Sequence, residues 1–509
     1  MVYRVYVEKI SWIRSNMRVV VVGSGIAGTS CVEELYRLQA LGYATERPLR
    51  VTLVSPSQEI TKATVTETVT ETLQELHVET RVAADWRASF PALEIVHGIV
   101  KRVDREKQVI GFDDDRVIEY DRLCICSGAR PEILHQPVGD FESVESLKTK
   151  LVGSRRVVVV GNGRIAMELV EALDVFDVVW SIKHNHIGNT FLDRDAADFI
   201  LPKSSRLRRR DELHQSTTPD KEDIVVTSQL THERRRIATC SKSAVGPDWM
   251  HSFKVPVSPI LPAEAGALQI EYNTQVDAIL DASSGGIIWG QAKPSNSKDM
   301  AVDEWPLRVI LTNGNMYGCD LVVCATGVVP NTDLLQECWE LADSEGIPVS
   351  DSMQSLQDTR VSAAGDCAHV ESDAECWFQM RLWSQARATG RRAAQSILNA
   401  DLEAGLELEL FAHATHFFGH RVVLFGLYNG EEVLKTRLPA NNVLVLVRET
   451  PGVEYVKVIL VDGRVKGAML IGDTGLEDAF ENLILNQLDV SSVAAHLLDP
   501  DVGIEDFFD

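Results

Sequence analysis

The chain has 509 residues, of which 45% are hydrophobic and 24% are charged, and its formal net charge is −24. This length suffices for about three domains with a large core. The negative charge argues against general adhesion to nucleic acid or anionic membrane, because phosphate repels an acidic surface. No stretch approaches the roughly 18 apolar residues of a membrane span. We therefore expect a globular protein of a reducing compartment that binds neither nucleic acid nor membrane.

The first predicted unit, after an extension at residues 1–16, is a strand, a turn and a helix in MRVVVVGSGIAGTSCVEELYRLQ (17–39). The same order returns in RRVVVVGNGRIAMELVEALD (155–174). In such turns the first glycine permits the tight bend, and the second lets the backbone approach a pyrophosphate. The third small residue lets helix and strand pack closely. The repeat predicts two dinucleotide sites, formed by Gly23, Ser24, Gly25, Ile26, Ala27 and Gly28 and by Gly161, Asn162, Gly163, Arg164 and Ile165.

Each unit continues with a second strand and, later, a small-residue turn. The strand VTLVS ends in Ser55, where an acid for the adenosine ribose is usual, although a hydroxyl can serve there. The strand DVVWSIK ends in Lys183, which suits the 2′-phosphate of NADPH, with a plain surface lysine as the alternative. The later turns contain Ser127 and Gly128 in the first unit and Gly327 in the second.

A third signal is TRVSAAGDCAHV (359–370), in which a strand ends at Gly365 and Asp366. The helix after it has small residues at positions 386, 390 and 394, on one face, which predicts close packing. Read alone, the Gly-Asp pair indicates a turn. After two dinucleotide units it indicates part of a cofactor site.

Four motifs, VVVGSGIAG, GNGRIAMELVEAL, CATGVVPN and AAGDCA, occur in the order found in flavoproteins with two dinucleotide domains. The chain resembles the pyridine nucleotide–disulfide oxidoreductase superfamily over about residues 17–400. Longer stretches, among them IGNTFLD (187–193), ELFAHATHFF (409–418) and DAFENLILNQL (478–488), are similar to one subgroup of it. The resemblance implies an α/β fold of glutathione-reductase type. Two Rossmann-like domains would bind FAD and NAD(P)H, and an α+β domain would follow.

The resemblance also sets expected domain boundaries. A polar insertion at residues 202–262 interrupts the second unit. We interpret it as a solvated loop rather than a nuclear signal or an RNA-facing patch. The expected parts are 17–150 and 333–404 for FAD, 151–332 for NAD(P)H with the insertion at 202–262, 405–498 as the C-terminal domain and 499–509 as an acidic tail.

Several side chains receive roles from the resemblance. Asp366 is expected to hydrogen-bond the flavin ribityl chain, and the helix after it to direct its N-terminus at the ring. Lys62 is expected near flavin N5, paired with Glu168; a solvated lysine and a helix-surface acid are the alternatives. Arg164 stands where relatives often carry an aromatic residue that gates the nicotinamide pocket.

The redox cysteine pair of the superfamily is missing, since no cysteine lies between Cys31 and Cys124. Disulfide reduction needs a thiolate pair beside the flavin. One hypothesis is an FAD-dependent NAD(P)H oxidoreductase whose acceptor (oxygen, a quinone or a protein) meets the flavin directly. A second is a redox-sensing binding protein that caps a partner when NAD(P)H has reduced it. A third is a disulfide reductase that uses Cys367 and Cys376.

The C-terminal stretch LLDPDVGIEDFFD is acidic and ends in Phe507, Phe508 and Asp509. An acidic tail is usually disordered, but apolar anchors beside charge are also how short terminal motifs bind. We therefore predict that these three residues bind a partner. The resemblance implies that the partner is the tRNA-splicing ligase catalytic subunit, shielded from oxidation, and that the protein is cytoplasmic and nuclear.

Overall fold

The computed structural model describes most of the chain in nine ranges and two single residues. These ranges are residues 16–43, 48–132, 147–201, 266–282, 286–291, 305–335, 346–400, 405–430 and 442–500, with the single residues 284 and 341. No helix within them is long and apolar enough to cross a membrane.

The first part of the chain alternates strands and helices. Its elements are, in chain order, β1 (Met17–Val22), α1 (Ile26–Ala40), β2 (Leu49–Ser55), β3 (Glu59–Thr68), β4 (Gln74–Val82), α2 (Ala83–Ser89), β5 (Glu94–His97), β6 (Val100–Asp104), β7 (Val109–Phe112), β8 (Val117–Glu119), β9 (Arg122–Ile125) and β10 (Ala129–Pro131).

The second part repeats this plan. Its elements are β11 (Arg156–Val160), α3 (Arg164–Ala172), β12 (Asp177–Ile182), α4 (Arg194–Ile200), β13 (Leu268–Tyr272), β14 (Val276–Asp281), β15 (Ile287–Gly290), β16 (Leu307–Leu311), β17 (Met316–Cys319), β18 (Leu321–Cys324) and β19 (Val328–Pro330).

The third part returns to the first layer and then forms an antiparallel sheet. Its elements are β20 (Ile347–Val349), β21 (Val361–Ala363), β22 (Ala368–Val370), α5 (Trp383–Ile397), β23 (Ala412–Phe417), β24 (His420–Gly426), β25 (Val443–Thr450), β26 (Glu454–Val461), β27 (Arg464–Ile471) and α6 (Glu477–Asn486).

A parallel sheet of five strands, in the order β21-β9-β1-β2-β5, forms the first layer. Its central strand is a run of valines that is almost wholly buried, as in parallel sheets covered on both faces. Strand β21 completes this sheet although it follows the whole second unit in the sequence. Helices α1 and α5 pack together so closely that a Cβ at Gly390 would lie 2.2 Å from the Ala27 carbonyl oxygen. The predicted close packing of that helix is confirmed.

The second unit has its own parallel sheet, in the order β13-β12-β11-β18. Beside it lies an antiparallel sheet in the order β15-β14-β16-β17, and the first unit carries the smaller sheet β6-β7-β8 at the corresponding point in the chain. Both units thus contain a glycine-turn βαβ arrangement and a short antiparallel sheet. The predicted α/β fold with two Rossmann-like units is confirmed.

The two units meet at a short antiparallel ladder between β10 and β19. The turns next to it are tied by reciprocal hydrogen bonds. Ser127 Oγ donates to the Asn331 carbonyl at 2.6 Å, and Asn331 Nδ2 donates to the Ser127 carbonyl at 2.9 Å. The chain leaves the first unit through β10 and returns to it after β19, so both crossings pass beside this ladder.

The C-terminal antiparallel sheet, in the order β23-β24-β27-β26-β25, shares a hydrophobic core with the second unit. Phe411 and Tyr428 lie in one buried cluster with Trp180 of β12. The Tyr428 hydroxyl donates to the Thr190 carbonyl at 2.7 Å, and Lys457 of β26 forms an ion pair with Asp193. The stretch IGNTFLD therefore docks the C-terminal sheet onto the second unit.

Candidate functional site

The glycine-rich turn between β1 and α1 borders free space at its middle glycine. A Cβ at Gly23, whose φ is +114°, would lie 2.0 Å from the Cys126 carbonyl oxygen. A Cβ at Gly28 would lie 1.9 Å from the Gly23 carbonyl oxygen, whereas one at Gly25 would meet nothing within 4 Å. The space at Gly25 faces the N-terminus of a helix, which suits a pyrophosphate. Ile26 and Ala27 are buried in the first turn of that helix.

Ser55 lies beside this turn, as predicted, but its hydroxyl is already in use. It is fully buried, and its Oγ lies 2.7 Å from Ser24 Oγ. It also donates to the Ser57 carbonyl at 2.7 Å and accepts from the Ser57 amide at 3.0 Å. The side chain closes a local turn here, and its contact with an adenosine ribose stays a prediction.

The second glycine-rich turn has the same free space. A Cβ at Gly161 would lie 2.1 Å from the Ala325 carbonyl oxygen, but one at Gly163 would meet nothing within 4 Å. The Asn162 side chain holds the following loop, because its Nδ2 donates to the His186 carbonyl and its Oδ1 accepts from the Gly188 amide at 2.6 Å. The Asn162 side chain is therefore engaged within the protein, and a contact of this residue with a nucleotide stays a prediction.

Three further predicted residues lie within the second unit. Ile165 is half-buried in the first turn of α3, Lys183 is exposed directly after β12, and Gly327 has a φ of +121° with nothing near its Cβ position. In the first unit, Gly128 is likewise open, with a φ of +67°. Cofactor contacts of these residues stay predictions.

The expected pair between Lys62 and Glu168 is wrong in this structure. Lys62 Nζ lies 2.9 Å from Glu33 Oε1 and 5.9 Å from the centre of the Trp86 ring. Glu168 Oε1 instead accepts from Arg164 Nε at 2.7 Å, and both side chains are largely buried. The reason is local, since β3 runs beside α1, whereas Arg164 and Glu168 stand one turn apart on α3.

A cavity of about 80 Å³ lies where the β3–β4 hairpin, α5, β23 and the start of α3 meet. It thus joins the helix after Gly365 and Asp366 to the first residue of the second dinucleotide helix. Its walls are aromatic and polar. They are formed by Thr72, Leu73, Gln74, Glu75, Leu76, Arg164, Trp377, Trp383, Ser384, Gln385, Arg387, Ala388, Glu407, Leu410, Phe411, Ala412, His413, Ala414 and His416.

The Gly-Asp motif lies against the first glycine-rich helix. Gly365 has a φ of +74°, and a Cβ there would lie 2.8 Å from the Ala27 Cβ. Burial raises the pKa of the Asp366 carboxyl, while the positive charge of Arg381 acts in the opposite direction. A shielded carboxyl at this place is a strong acceptor for a hydroxyl group. Its contact with a ribityl chain stays a prediction.

The two cysteines considered as a redox pair lie in different cores. Cys367 is buried in the core of the first sheet, and its thiol donates to the Ile125 carbonyl at 3.3 Å. Cys376 is buried in the core of the C-terminal sheet. Burial raises the pKa of both thiols to about 11. They neither meet nor form thiolates readily, and the disulfide-pair hypothesis is wrong in this structure.

No role was predicted for Glu481, although it lies in the stretch DAFENLILNQL. This buried carboxylate of α6 accepts from the Thr70 hydroxyl, from the Glu71 amide at 3.0 Å, and from both the amide and the hydroxyl of Thr72. It fixes the tip of the β3–β4 hairpin, which forms one wall of the cavity.

Two residues that line the cavity, His413 and Ser384, were also not predicted, although His413 lies in the stretch ELFAHATHFF. The predicted partner motif at Phe507, Phe508 and Asp509, the extension and the insertion lie outside the described residues, apart from Asn16.

The family model described as pyridine nucleotide-disulphide oxidoreductase matches residues 17–204 and 291–390, which cover both glycine-rich turns and the Gly-Asp motif. The chain belongs to this family. It is 37% identical to the mouse "Pyridine nucleotide-disulfide oxidoreductase domain-containing protein 1", over 96% of this chain and 98% of that relative.

Solved structures of the same fold include a ferredoxin reductase for the CYP199A2 system from Rhodopseudomonas palustris. The TM-score is 0.62 at 16% identity, over 97% of this chain and all of that one. A water-forming NADH oxidase from Lactobacillus brevis, bound to NADH, has a TM-score of 0.60 at 15% identity, over 94% and 93% of the two chains. At these identities the likeness shows the fold alone.

For a pyridine nucleotide-disulphide oxidoreductase, the two open glycine turns fit two dinucleotides. The cofactors are FAD and NAD(P)H, and the chain is an NAD(P)H-dependent flavin oxidoreductase. When bound, FAD would supply the chemistry of hydride transfer from NAD(P)H and electron transfer to an acceptor. The protein supplies the helix N-termini at Gly25 and Gly163, where the phosphates would bind, and the aromatic and polar walls of the cavity.

Proposed function

We propose that this protein passes electrons from NAD(P)H through FAD to an external acceptor without a thiol relay of its own. The observation that carries the proposal is the chemistry of the cavity between the two units. Among the described residues that line it, none is a cysteine. An acceptor must then come to the flavin itself, as oxygen, a quinone or a docked protein.

Spectroscopy of the purified protein tests this proposal. The flavin absorption should bleach on addition of NADH or NADPH, and the more effective of the two identifies the preferred nucleotide. Steady-state consumption with oxygen or artificial acceptors then measures turnover. A flavin that stays reduced in a long-lived complex with the oxidised nucleotide would favour the redox-sensing binding protein instead.

The absence of a thiol relay has its own test. The double variant C367S/C376S should keep the acceptor turnover of the parent within about twofold, because buried thiols with raised pKa values are poor nucleophiles. The single variant C31S, in the core of the first sheet, controls for packing effects of a thiol-to-hydroxyl change. Loss of turnover in the double variant alone would contradict the proposal.

We further propose that the acidic terminus tethers a partner, the tRNA-splicing ligase catalytic subunit, which this protein protects from oxidative inactivation. The support is the family relationship together with the apolar pair Phe507 and Phe508 beside acidic residues. Deletion of residues 499–509 should abolish co-purification with the ligase while FAD remains bound. The variant F507A/F508A should weaken it, whereas D501N should not. If the ligase still co-purified to the same extent after the deletion, the terminus would not be the partner site.

A further inference from the structure

One wall of the cavity is formed by a buried histidine with a ring nitrogen that no described residue hydrogen-bonds. His413 lies on β23, is 7% exposed, and its ring centre is 5.8 Å from that of Phe191. Its Nε2 atom has no hydrogen-bond partner within the described part of the chain. Buried ring nitrogens are almost always hydrogen-bonded, so an unpartnered one that lines a cavity points to a missing ligand.

A second unpartnered group lines the same cavity. Ser384 lies in the first turn of α5, and its buried Oγ also lacks a partner among the residues that the structure describes. The charged groups beside it are compensated. Arg164 pairs with Glu168, and Arg387 Nη1 lies 3.8 Å from Glu407 Oε1. A ligand that satisfies His413 and Ser384 therefore needs hydrogen-bonding atoms rather than a full charge.

The walls indicate the shape of that ligand. Trp377, Trp383 and Phe411 supply flat apolar surfaces on which a conjugated ring can stack. Burial, assisted by the positive charge of Arg164, lowers the pKa of His413 to about 3. The imidazole is thus neutral near neutral pH, and its Nε2–H tautomer offers a donor to which a ring carbonyl is the matching acceptor.

We propose that His413 and Ser384 hydrogen-bond a ring carbonyl of a planar conjugated ligand in this cavity. The ligand is either the isoalloxazine of FAD or a quinone acceptor, which share this chemistry. The inference rests on the proposed function, in which an acceptor meets the flavin directly.

The test compares the variants His413→Phe, which keeps the ring but removes its nitrogens, His413→Gln, which restores a donor, and Ser384→Ala. His97→Phe, at an exposed histidine of β5, is the matched control. Three quantities are measured on the FAD-loaded protein: the flavin absorption spectrum, its midpoint potential, and KM for menadione with ferricyanide as a reference acceptor.

If the ligand is the isoalloxazine, His413→Phe and Ser384→Ala shift the spectrum and the potential before any acceptor is added. If it is a quinone, both stay unchanged while KM for menadione rises roughly tenfold, the loss expected for about one hydrogen bond. Ferricyanide reduction stays as it was in that case. In either case His413→Gln recovers part of the effect and His97→Phe shows none.

Variants that bind FAD and are reduced by NAD(P)H, but change none of the three quantities, would overturn this inference alone. A parent protein that binds no FAD, or whose flavin NAD(P)H does not reduce, would instead overturn the proposed function. If His413→Phe fails to fold, Ser384→Ala carries the same decision, since it removes only one hydroxyl group and keeps the helix.

Discussion

At the scale of single residues, the partner of a charged side chain decides what that side chain can do. Arg164 is the first residue of the second dinucleotide helix, and Glu168 neutralises it at 2.7 Å. Lys62, which was expected to take that carboxylate, is held by Glu33. A lysine and a glutamate predicted to act together are thus engaged by different helices.

Double-mutant cycles measure this division. The variants R164M and E168Q should show a coupling free energy of about 0.5–3 kcal/mol in urea unfolding at a fixed FAD concentration, because the pair is close and largely buried. The variants K62M and E168Q should be additive within about 0.5 kcal/mol. Coupling of Lys62 to Glu168 that exceeded the coupling of Arg164 to Glu168 would contradict the observed pairing.

The depressed pKa of His413 predicts how stability depends on pH. In the unfolded chain a histidine binds its proton near pH 6.5, whereas the folded protein does not until about pH 3. Between these values the unfolded state binds more protons, so stability falls as the pH is lowered. From pH 6.5 to 5 this group removes up to about 2 kcal/mol.

Urea unfolding at pH 5.0, 6.0 and 7.5 checks this prediction. As the pH falls, the unfolding free energy of the parent should decrease relative to that of His413→Phe, by up to about 2 kcal/mol. His97→Phe, which changes an exposed ring, should run parallel to the parent. A pH-independent difference would show that His413 is protonated alike in both states.

At the scale of elements, the β3–β4 hairpin lies in the part of the chain, between Cys31 and Cys124, where the redox cysteine pair of the superfamily is missing. Ile60, Ala63 and Val78 bury the base of the hairpin in the core of the first sheet, but β3 is exposed from Thr66 to Thr68, so burial does not fix where the tip lies. Glu481 does this by accepting hydrogen bonds from the backbone and hydroxyl groups of residues 70–72. The carboxylate therefore positions a cavity wall formed by Leu73 and Gln74 without lining the cavity itself.

Replacement of Glu481 should release this hairpin. Glu481→Ala leaves several buried donors unsatisfied and should lower the free energy of unfolding by about 2–4 kcal/mol. Limited proteolysis should then cleave at residues 69–73 faster than in the parent. Glu481→Gln keeps one acceptor oxygen, so its free energy of unfolding and its cleavage rate should lie between those of the parent and Glu481→Ala. Asp478→Asn, on the exposed face of the same helix, should match the parent in both.

Elements with local signals were predictable from the sequence, and those fixed by distant contacts were not. The glycine turns follow from close backbone approaches at Gly23 and Gly161, and the hairpin turn at residues 461–463 follows from an Asp-Gly pair with φ values of +48° and +77°. The partners of Lys62 and Glu168 depend on how β3 lies beside α1. The β3–β4 hairpin depends on Glu481, about 410 residues further along the chain. No local pattern encodes contacts of that length.

At the scale of the whole molecule, the C-terminal sheet and the second unit share one hydrophobic core. Phe417, Leu424 and Tyr455 belong to the same buried cluster as Leu169 and Ile187. Elements that share one core lose it together, so we expect them to unfold in one step. The cavity depends on this union, because β23 supplies one of its walls.

Substitutions at Tyr428 test the shared core. Tyr428→Phe removes the hydrogen bond to the Thr190 carbonyl and should cost about 1 kcal/mol. Tyr428→Ala empties a fully buried site and should cost about 3–5 kcal/mol. Hydrogen exchange should show the slow amides of β12 and β24 shifting by the same amount in each variant. Protection lost from β24 alone would mean that the sheet unfolds by itself.

The β10–β19 ladder has a mechanical consequence. Both crossings between the two units pass beside these two short strands, and Ser127 and Asn331 clasp the turns next to them. A second connection runs through the C-terminal part, because α6 holds residues 70–72 of the first unit while the C-terminal sheet shares a core with the second unit. Two attachments that lie apart in the fold resist rotation of one unit against the other better than the ladder alone would. The relative position of the two dinucleotide turns is therefore braced at two places.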